Sequence, residues 1–254
     1  MKEQLLAPLA GKDRPIRPCL NHLPGERFIS EGKPIKGDRQ KEPCMTPKAV
    51  FWDMDGTLVD SEPLHEAALV AALRSVGIAP PTNLHERVLG IAAWPVYEML
   101  RDEFGLSLPF DDWIVRKYDH YLPMAETLKP RPGAIELFNR LRALGVEQAV
   151  VSNSDRLIVD ANLSAVGLVY PGMHTVSRND VRQGKPHAEP FLRAAYLAGV
   201  DPADAVAVDD SRTGAMAGLA AGMKTIFWPE APMEGPPGAI VINSADELRA
   251  QLGL

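Results

Sequence analysis

From Ala49 onward, short apolar and β-branched runs alternate with stretches of helical period, and this alternation is what most limits the folds open to the chain. "AVFWD", "VEQAVVS", "MHTVS", "DAVAVDD", "KTIFW" and "AIVIN" read as strands. Between and after them, "PRPGAIELFNRLRALG", "DRLIVDANLSAVG", "HAEPFLRAAYLAGV", "SRTGAMAGLAAG" and "ADELRAQL" read as helices. The first of these opens at Pro132 and Gly133, carries Ile135, Leu137, Phe138, Leu141 and Leu144 on one face, and closes at Gly145. Strands apolar at successive positions need cover on both faces, and the helices supply it. The predicted fold class is therefore α/β, with a Rossmann-like parallel sheet as its core.

One block breaks the alternation. "PLHEAALVAALRSVG", "ERVLGIAAWPVYEMLRDEFG" and "FDDWIVRKYDHYLPMAETL" follow one another with no strand between them. Residues 62–128 thus read as an inserted all-α cap, and residues 46–61 with 129–254 as the core. Two peptide crossings, near Asp60–Ser61 and Thr127–Pro130, would suit hinge motion. Residues 1–45 hold Pro8, Pro15, Pro18, Pro24, Pro34 and Pro43 and no sustained period, so they read as a disordered or loosely attached extension.

Charge and cysteine usage exclude several functions. The net charge is -6, and the ten Lys/Arg within residues 1–48 leave seventeen against twenty-seven Asp/Glu in the remainder, a body too acidic for a nucleic-acid partner. No run approaches the roughly 18 apolar residues of a membrane-spanning helix. The opening "MKEQLLAPLAGKDRPIRP" lacks the apolar stretch of a secretory signal, so a cytoplasmic location is expected. Both cysteines, Cys19 and Cys44, precede the predicted core, which leaves no thiol there for catalysis or metal binding.

Ligands of open parallel sheets bind beyond the carboxyl ends of the strands. At those ends lie Asp53 and Asp55, then Ser152, Asn153 and Ser154, then Asp209 and Asp210, while Lys185 stands in "GKP" before a helix. Two carboxylates 4 Å apart repel by about 4 kcal/mol at an effective dielectric near 20. A divalent cation would remove that difficulty, and an all-oxygen, thiol-free donor set favours Mg²⁺ over zinc. Lys185 and the Ser152 hydroxyl would then be free to hold an anion.

"DMDGTLVDSE", "VVSNS", "GKPHAEPF" and "VDDSRTGAMAGLAAGM", in that order, resemble the four motifs of the haloacid dehalogenase-like superfamily, in the branch whose helical cap follows the first motif. The resemblance implies a Mg²⁺-dependent phosphomonoesterase with Asp53 as nucleophile toward phosphorus and Asp55 as general acid and then base. It implies phosphoryl contacts from Thr57, Ser152, Asn153 and Lys185. The metal would be held by Asp53, by Asp55 through its backbone carbonyl, and by Asp210, with Asp209 either a ligand through water or a partner of Lys185. Asp55 would be the protonated member of the first pair.

The resemblance also implies a small phosphorylated metabolite as partner, a sugar or polyol phosphate foremost, with no nucleic acid and no membrane. Monomer and dimer both stay open. Thr57 and the absence of Arg between Gly90 and Glu98 favour hydrolysis over a β-phosphoglucomutase-like transfer, and Asp55 disfavours dehalogenation. A non-catalytic metabolite-binding protein on the same fold is the alternative of a different class. In the cap, Gly90–Tyr97 is the candidate specificity loop, with Trp94 and Tyr97 able to stack on a sugar or nucleoside. Arg87, Arg101, Arg116 and Lys117 are candidates to meet a second anionic group.

Overall fold

The computed structural model describes residues 46–88, 91 and 93–254, so the expectations for residues 1–45, Cys19, Cys44 and Gly90 fall outside it. In chain order the elements are β1 (Ala49–Trp52), β2 (Val59–Asp60), α1 (Glu62–Ser75), α2 (Leu84–Val88), α3 (Ala93–Phe104) and α4 (Phe110–Tyr121). A 3₁₀ turn over Leu122–Thr127 leads to β3 (Lys129–Pro130), α5 (Ala134–Ala143), β4 (Glu147–Val151), α6 (Arg156–Ala165) and β5 (His174–Val176). The chain closes with α7 (Glu189–Ala198), β6 (Ala205–Asp209), α8 (Arg212–Ala220), β7 (Lys224–Phe227), β8 (Ile240–Val241) and α9 (Ala245–Gln251).

Six strands form one parallel sheet in the order β5-β4-β1-β6-β7-β8. Alternation along β1 divides the core into two layers. Val50 and Trp52 point into the larger layer with Phe138, Leu141, Ile158, Leu163 and Leu248, beneath α5, α6 and α9. Ala49 and Phe51 point into the other with Phe191, Ala194 and Ala217, beneath α7 and α8. This is the doubly covered α/β sheet expected from the strand composition. One polar side chain is built into the larger layer: buried Gln148 accepts from Trp52 Nε1 (2.9 Å) and donates to the Phe138 carbonyl (3.0 Å).

The helical block lies between β2 and β3, which pair antiparallel (Val59 with Pro130, Asp60 with Lys129) and bring its two ends together. That two-stranded ribbon was not legible in the sequence, because two residues carry no period. The block has its own buried cluster of Leu69, Ala72, Leu73, Leu84, Val96, Leu100, Leu106 and Trp113. The stretch of helical pattern "ERVLGIAAWPVYEMLRDEFG" spans two helices, α2 and α3, on either side of Ile91.

Tyr121 and Leu128, by contrast, pack into the layer beneath α5 and α6. Among the described residues no helix is long and apolar enough to cross a membrane.

Replacing Gln148 by Leu strips the buried Trp52 N–H of its acceptor, a loss of about 1–3 kcal/mol. Urea unfolding of Gln148→Leu should show a lower midpoint at unchanged slope, whereas an unchanged midpoint would mean that the indole finds another acceptor.

Candidate active site

Strand register sets the site. Trp52 aligns with Val150 on one side and Val208 on the other, and Asp53 N donates to the Val208 carbonyl (2.9 Å). The next residue of each strand, Asp53 and Asp209, therefore lies beside the other at the carboxyl end of the sheet. Both are buried, at 7% and 0% exposure. Lys185 reaches between them from the turn before α7, its Nζ 2.5 Å from Asp53 Oδ1 and 2.7 Å from Asp209 Oδ2. Burial alone would lower the lysine pKa, but the two carboxylates outweigh it and hold the ammonium charged.

Each member is fixed by a further shell. Asn153 clasps the backbone of Lys185, accepting from its N–H (2.9 Å) and donating to its carbonyl (3.1 Å). Asp209 Oδ1 accepts from the Ser211 N–H (2.9 Å) and hydroxyl (2.7 Å). A Cβ on Gly214 would come within 1.7 Å of Asp209 Oδ2, so α8 approaches this carboxylate only with glycine there. Thr57 is fully buried, and its hydroxyl donates to Asp210 Oδ1 (2.9 Å) while accepting from the Asp210 N–H (3.0 Å). Gly56 turns the chain at φ +81°, where a Cβ would sit 2.3 Å from Asp210 Oδ2.

Asp55 has different surroundings. Its Oδ1 accepts from Ser61 Oγ (2.6 Å) and Asn162 Nδ2 (3.3 Å), and His65 Nε2 lies 3.7 Å away. Oδ2 accepts from Ser154 Oγ (2.7 Å) and Ser152 Oγ (3.2 Å). Burial would raise the carboxyl, yet His65, Ser61 and Ser154 together hold it down at about 2. Asp53 is pushed well above the usual carboxylate range, by burial first and then by Asp209, Asp210 and Asp55, against the pull of Lys185. Asp210 is raised to about 7, by burial and then by Asp209. Without a cation, the two carboxyls are driven in opposite directions: Asp55 has four donors and is held low, and Asp53 has one and is held high.

These residues fit a divalent cation. Oxygens of Asp53, Asp209 and Asp210 lie within 4.8 Å of one another. Asp53 Oδ2 is buried with no hydrogen-bond donor among the described residues, a lone pair left aimed at something else. Asp209 has both oxygens engaged by Lys185 and Ser211, which makes it the partner of Lys185 and leaves Asp53 and Asp210 as the better ligands. The all-oxygen donor set suits Mg²⁺.

Several predicted site residues make contacts within the protein itself. Thr57 spends its hydroxyl on Asp210, and Asn153 its amide on the Lys185 backbone. Tyr97 is buried within the helical block and donates to the Leu108 carbonyl (3.0 Å), so its ring belongs to the packing there. Trp94 is half exposed and packs against Tyr97 and Phe110 at 5.6 and 4.9 Å between ring centres. Arg87 and Arg101 are paired with Glu103 and Asp102. Lys117 has no hydrogen-bonding or ion-pair partner among the described residues; burial lowers its pKa against the attraction of Glu62, Asp55 and Asp155.

Sequence reasoning missed Ser61, Asn162 and Arg131. The Arg131 guanidinium donates to the carbonyls of Gly56 (2.6 Å), Trp228 (2.7 Å) and Pro229 (2.8 Å) and lies over the Trp228 ring at 3.8 Å. It ties the turn after β1 to the end of β7, and nothing in "KPRPG" signals this.

Residues 47–222 match the model of the haloacid dehalogenase-like hydrolase family. Hexitol phosphatase A of Escherichia coli is 31% identical over 72% of this chain and 83% of its own length. Glycerol-1-phosphate phosphohydrolase 2 of Saccharomyces cerevisiae is 31% identical over 70% and 73%. The crystal structure of CbbY from Rhodobacter sphaeroides in complex with phosphate superposes at a TM-score of 0.73, at 24% identity, over 82% of this chain and all of that one.

The acid form of a carboxyl whose folded pKa lies above its unfolded one stabilises the fold. For Asp210 that contribution is complete below 3.8 and is lost as pH rises through about 7. Melting in EDTA should therefore occur at higher temperature near pH 5.5 than near pH 8, and Mg²⁺ should raise the midpoint more at about pH 8. A cation effect equal at both pH values would contradict the charge assignment.

Proposed function

We propose that this chain, which belongs to the haloacid dehalogenase-like hydrolase family, is a Mg²⁺-dependent phosphatase acting on the monophosphate of a small sugar or polyol through an aspartyl-phosphate on Asp53. The observation that carries the proposal is the Asp53 carboxylate: one oxygen is held by the buried Lys185 ammonium and the other is buried with no donor at all.

Mg²⁺, held by Asp53 and Asp210 with the Asp55 backbone carbonyl, would neutralise phosphoryl charge. Asp53 Oδ2 would go to the cation, and Lys185 holds Oδ1, the oxygen that attacks, in line with the phosphoryl group. As the bond from that oxygen to phosphorus forms, the phosphorus–oxygen bond to the substrate carbon chain breaks, and its electron pair leaves on the alkoxide. Asp55 gives the alkoxide a proton. Water then attacks the phosphorus, Asp55 takes a proton from it, and the bond to Asp53 breaks to release phosphate and restore both side chains. Asp55 is a carboxylate in the structure; an incoming phosphoryl anion raises its proton affinity, which supplies the acid form for the first step. The Ser152 hydroxyl and the Lys185 ammonium are the groups for phosphoryl oxygens.

Residues 62–128 act as a cap over this site, with the β2–β3 ribbon as the hinge. Lys117 is the cap cation that meets substrate, since it is attracted by Asp55 at the site, while Arg87 and Arg101 are spent on neighbours. One ammonium among Glu62, Asp55 and Asp155 suits hydroxyl groups of a polyol better than a second phosphate. The hexitol and glycerol phosphate activities named for the two relatives support the same class.

The test is a phosphate-release screen over sugar, polyol and nucleoside monophosphates and bisphosphates, with Mg²⁺ and with EDTA. Release should be greatest for a polyol or sugar monophosphate and vanish in EDTA. Asp53→Asn should abolish it, and Lys117→Met should raise KM about tenfold with a smaller change in kcat. Turnover that persists in Asp53→Asn, or an isomeric phosphate as product instead of free phosphate, would overturn the proposal.

A further inference from the structure

Of the groups on Asp55, one is set apart by its chemistry. Ser61, Ser152 and Ser154 offer hydroxyls that can rotate to donate or accept. His65 stands off at 3.7 Å, stacked on Tyr121. Asn162 is fully buried on α6, and its Nδ2 meets Asp55 Oδ1 at 3.3 Å while its Oδ1 accepts from the Tyr121 hydroxyl at 3.0 Å. An amide nitrogen can only donate. Tyr121 is itself fully buried, and burial raises its pKa so that the phenol keeps its proton and remains a donor.

That hydroxyl decides which way Asn162 points. With the phenol donating to the carbonyl end, the NH₂ end must face Asp55. Oδ1 of Asp55 is then committed to accepting from an unreversible donor. A proton carried by Asp55 is thereby directed to Oδ2, the oxygen beside Ser152 and Ser154 at the end of β4. The phenol belongs to α4, the last helix of the inserted block, and the amide to α6, over the sheet. The alignment of Asp55 consequently depends on α4 being seated on α6.

We infer that Asn162, oriented by Tyr121, is a positioning residue for proton transfer by Asp55, and that it makes this transfer conditional on the seating of helix α4. The inference rests on the phosphatase proposal above. Neither residue touches the reacting atoms.

Leaving-group chemistry separates positioning from general structural damage. p-Nitrophenolate departs without a proton, whereas the alkoxide of glycerol 1-phosphate needs one. Tyr121→Phe and Asn162→Leu are each mixed in excess with either ester, with Mg²⁺ present, and the first-turnover rate of ester cleavage is recorded beside wild type. For glycerol 1-phosphate the rate should fall about 10- to 100-fold, and for p-nitrophenyl phosphate by no more than about threefold. The ratio of the two rates is the readout, because it cancels any loss of folded protein. Equal losses on both esters, or no loss on either, would overturn the inference while leaving the phosphatase proposal standing. A wild-type chain that cleaves neither ester would remove the phosphatase proposal and this inference with it.

Discussion

Parallel register leaves Asp53 and Asp209 side by side at the ends of the two central strands, where water cannot share their charge. The ammonium of Lys185, on a side chain only 3% exposed, is what allows them to remain there. Removing one partner from a buried charge pair is strongly destabilising, on the order of 3–5 kcal/mol, because the other charge is left uncompensated. Two carboxylates against one ammonium, with Asp210 beside them, would leave excess negative charge, which is what pushes Asp53 and Asp210 toward their acid forms. The surplus is the physical basis for a cation at this place, and the undonated oxygen of Asp53 marks where it would bind.

The rest of the site serves to keep that arrangement from relaxing. Asn153 fixes the Lys185 backbone, Ser211 takes the second oxygen of Asp209, and Thr57 takes one oxygen of Asp210. Gly56 and Gly214 are required for a complementary reason, since either Cβ would occupy the space of a site carboxylate. Arg131 then joins the turn after β1 to the chain after β7. Apart from those of Ser211 and Gly214 with Asp209, these contacts join parts far apart along the chain, so positioning here is a property of the sheet and not of any one loop.

This explains what could and could not be seen in the sequence. Strands β1, β4 and β6 were legible because each is a short apolar run ending in polar residues, and a parallel sheet collects such ends on one rim. The gathering of Asp53, Asp209 and Asp210 on that rim was legible for the same reason, whereas Lys185, in the turn before a helix, was legible only through the motif order. The division of labour was not. Whether Thr57 faces an incoming phosphoryl group or Asp210 depends on side-chain direction, which spacing does not determine. The surroundings that pull Asp53 and Asp55 in opposite directions were not legible, because Ser61, Ser154 and Asn162 are ordinary residues in ordinary helix and loop positions. Tyr97 and Trp94 share one sequence stretch, yet packing buries the first and half exposes the second.

The central claim is that Asp53, oriented by Lys185, forms a covalent bond to phosphorus. The most direct measurement is a borohydride quench of the enzyme during turnover of a polyol monophosphate, followed by mass spectrometry of the peptide containing residue 53. Reduction of an acyl phosphate converts the aspartate to homoserine, and the account predicts that change at residue 53 alone, dependent on substrate. Steady phosphate release with residue 53 recovered only as aspartate would contradict it.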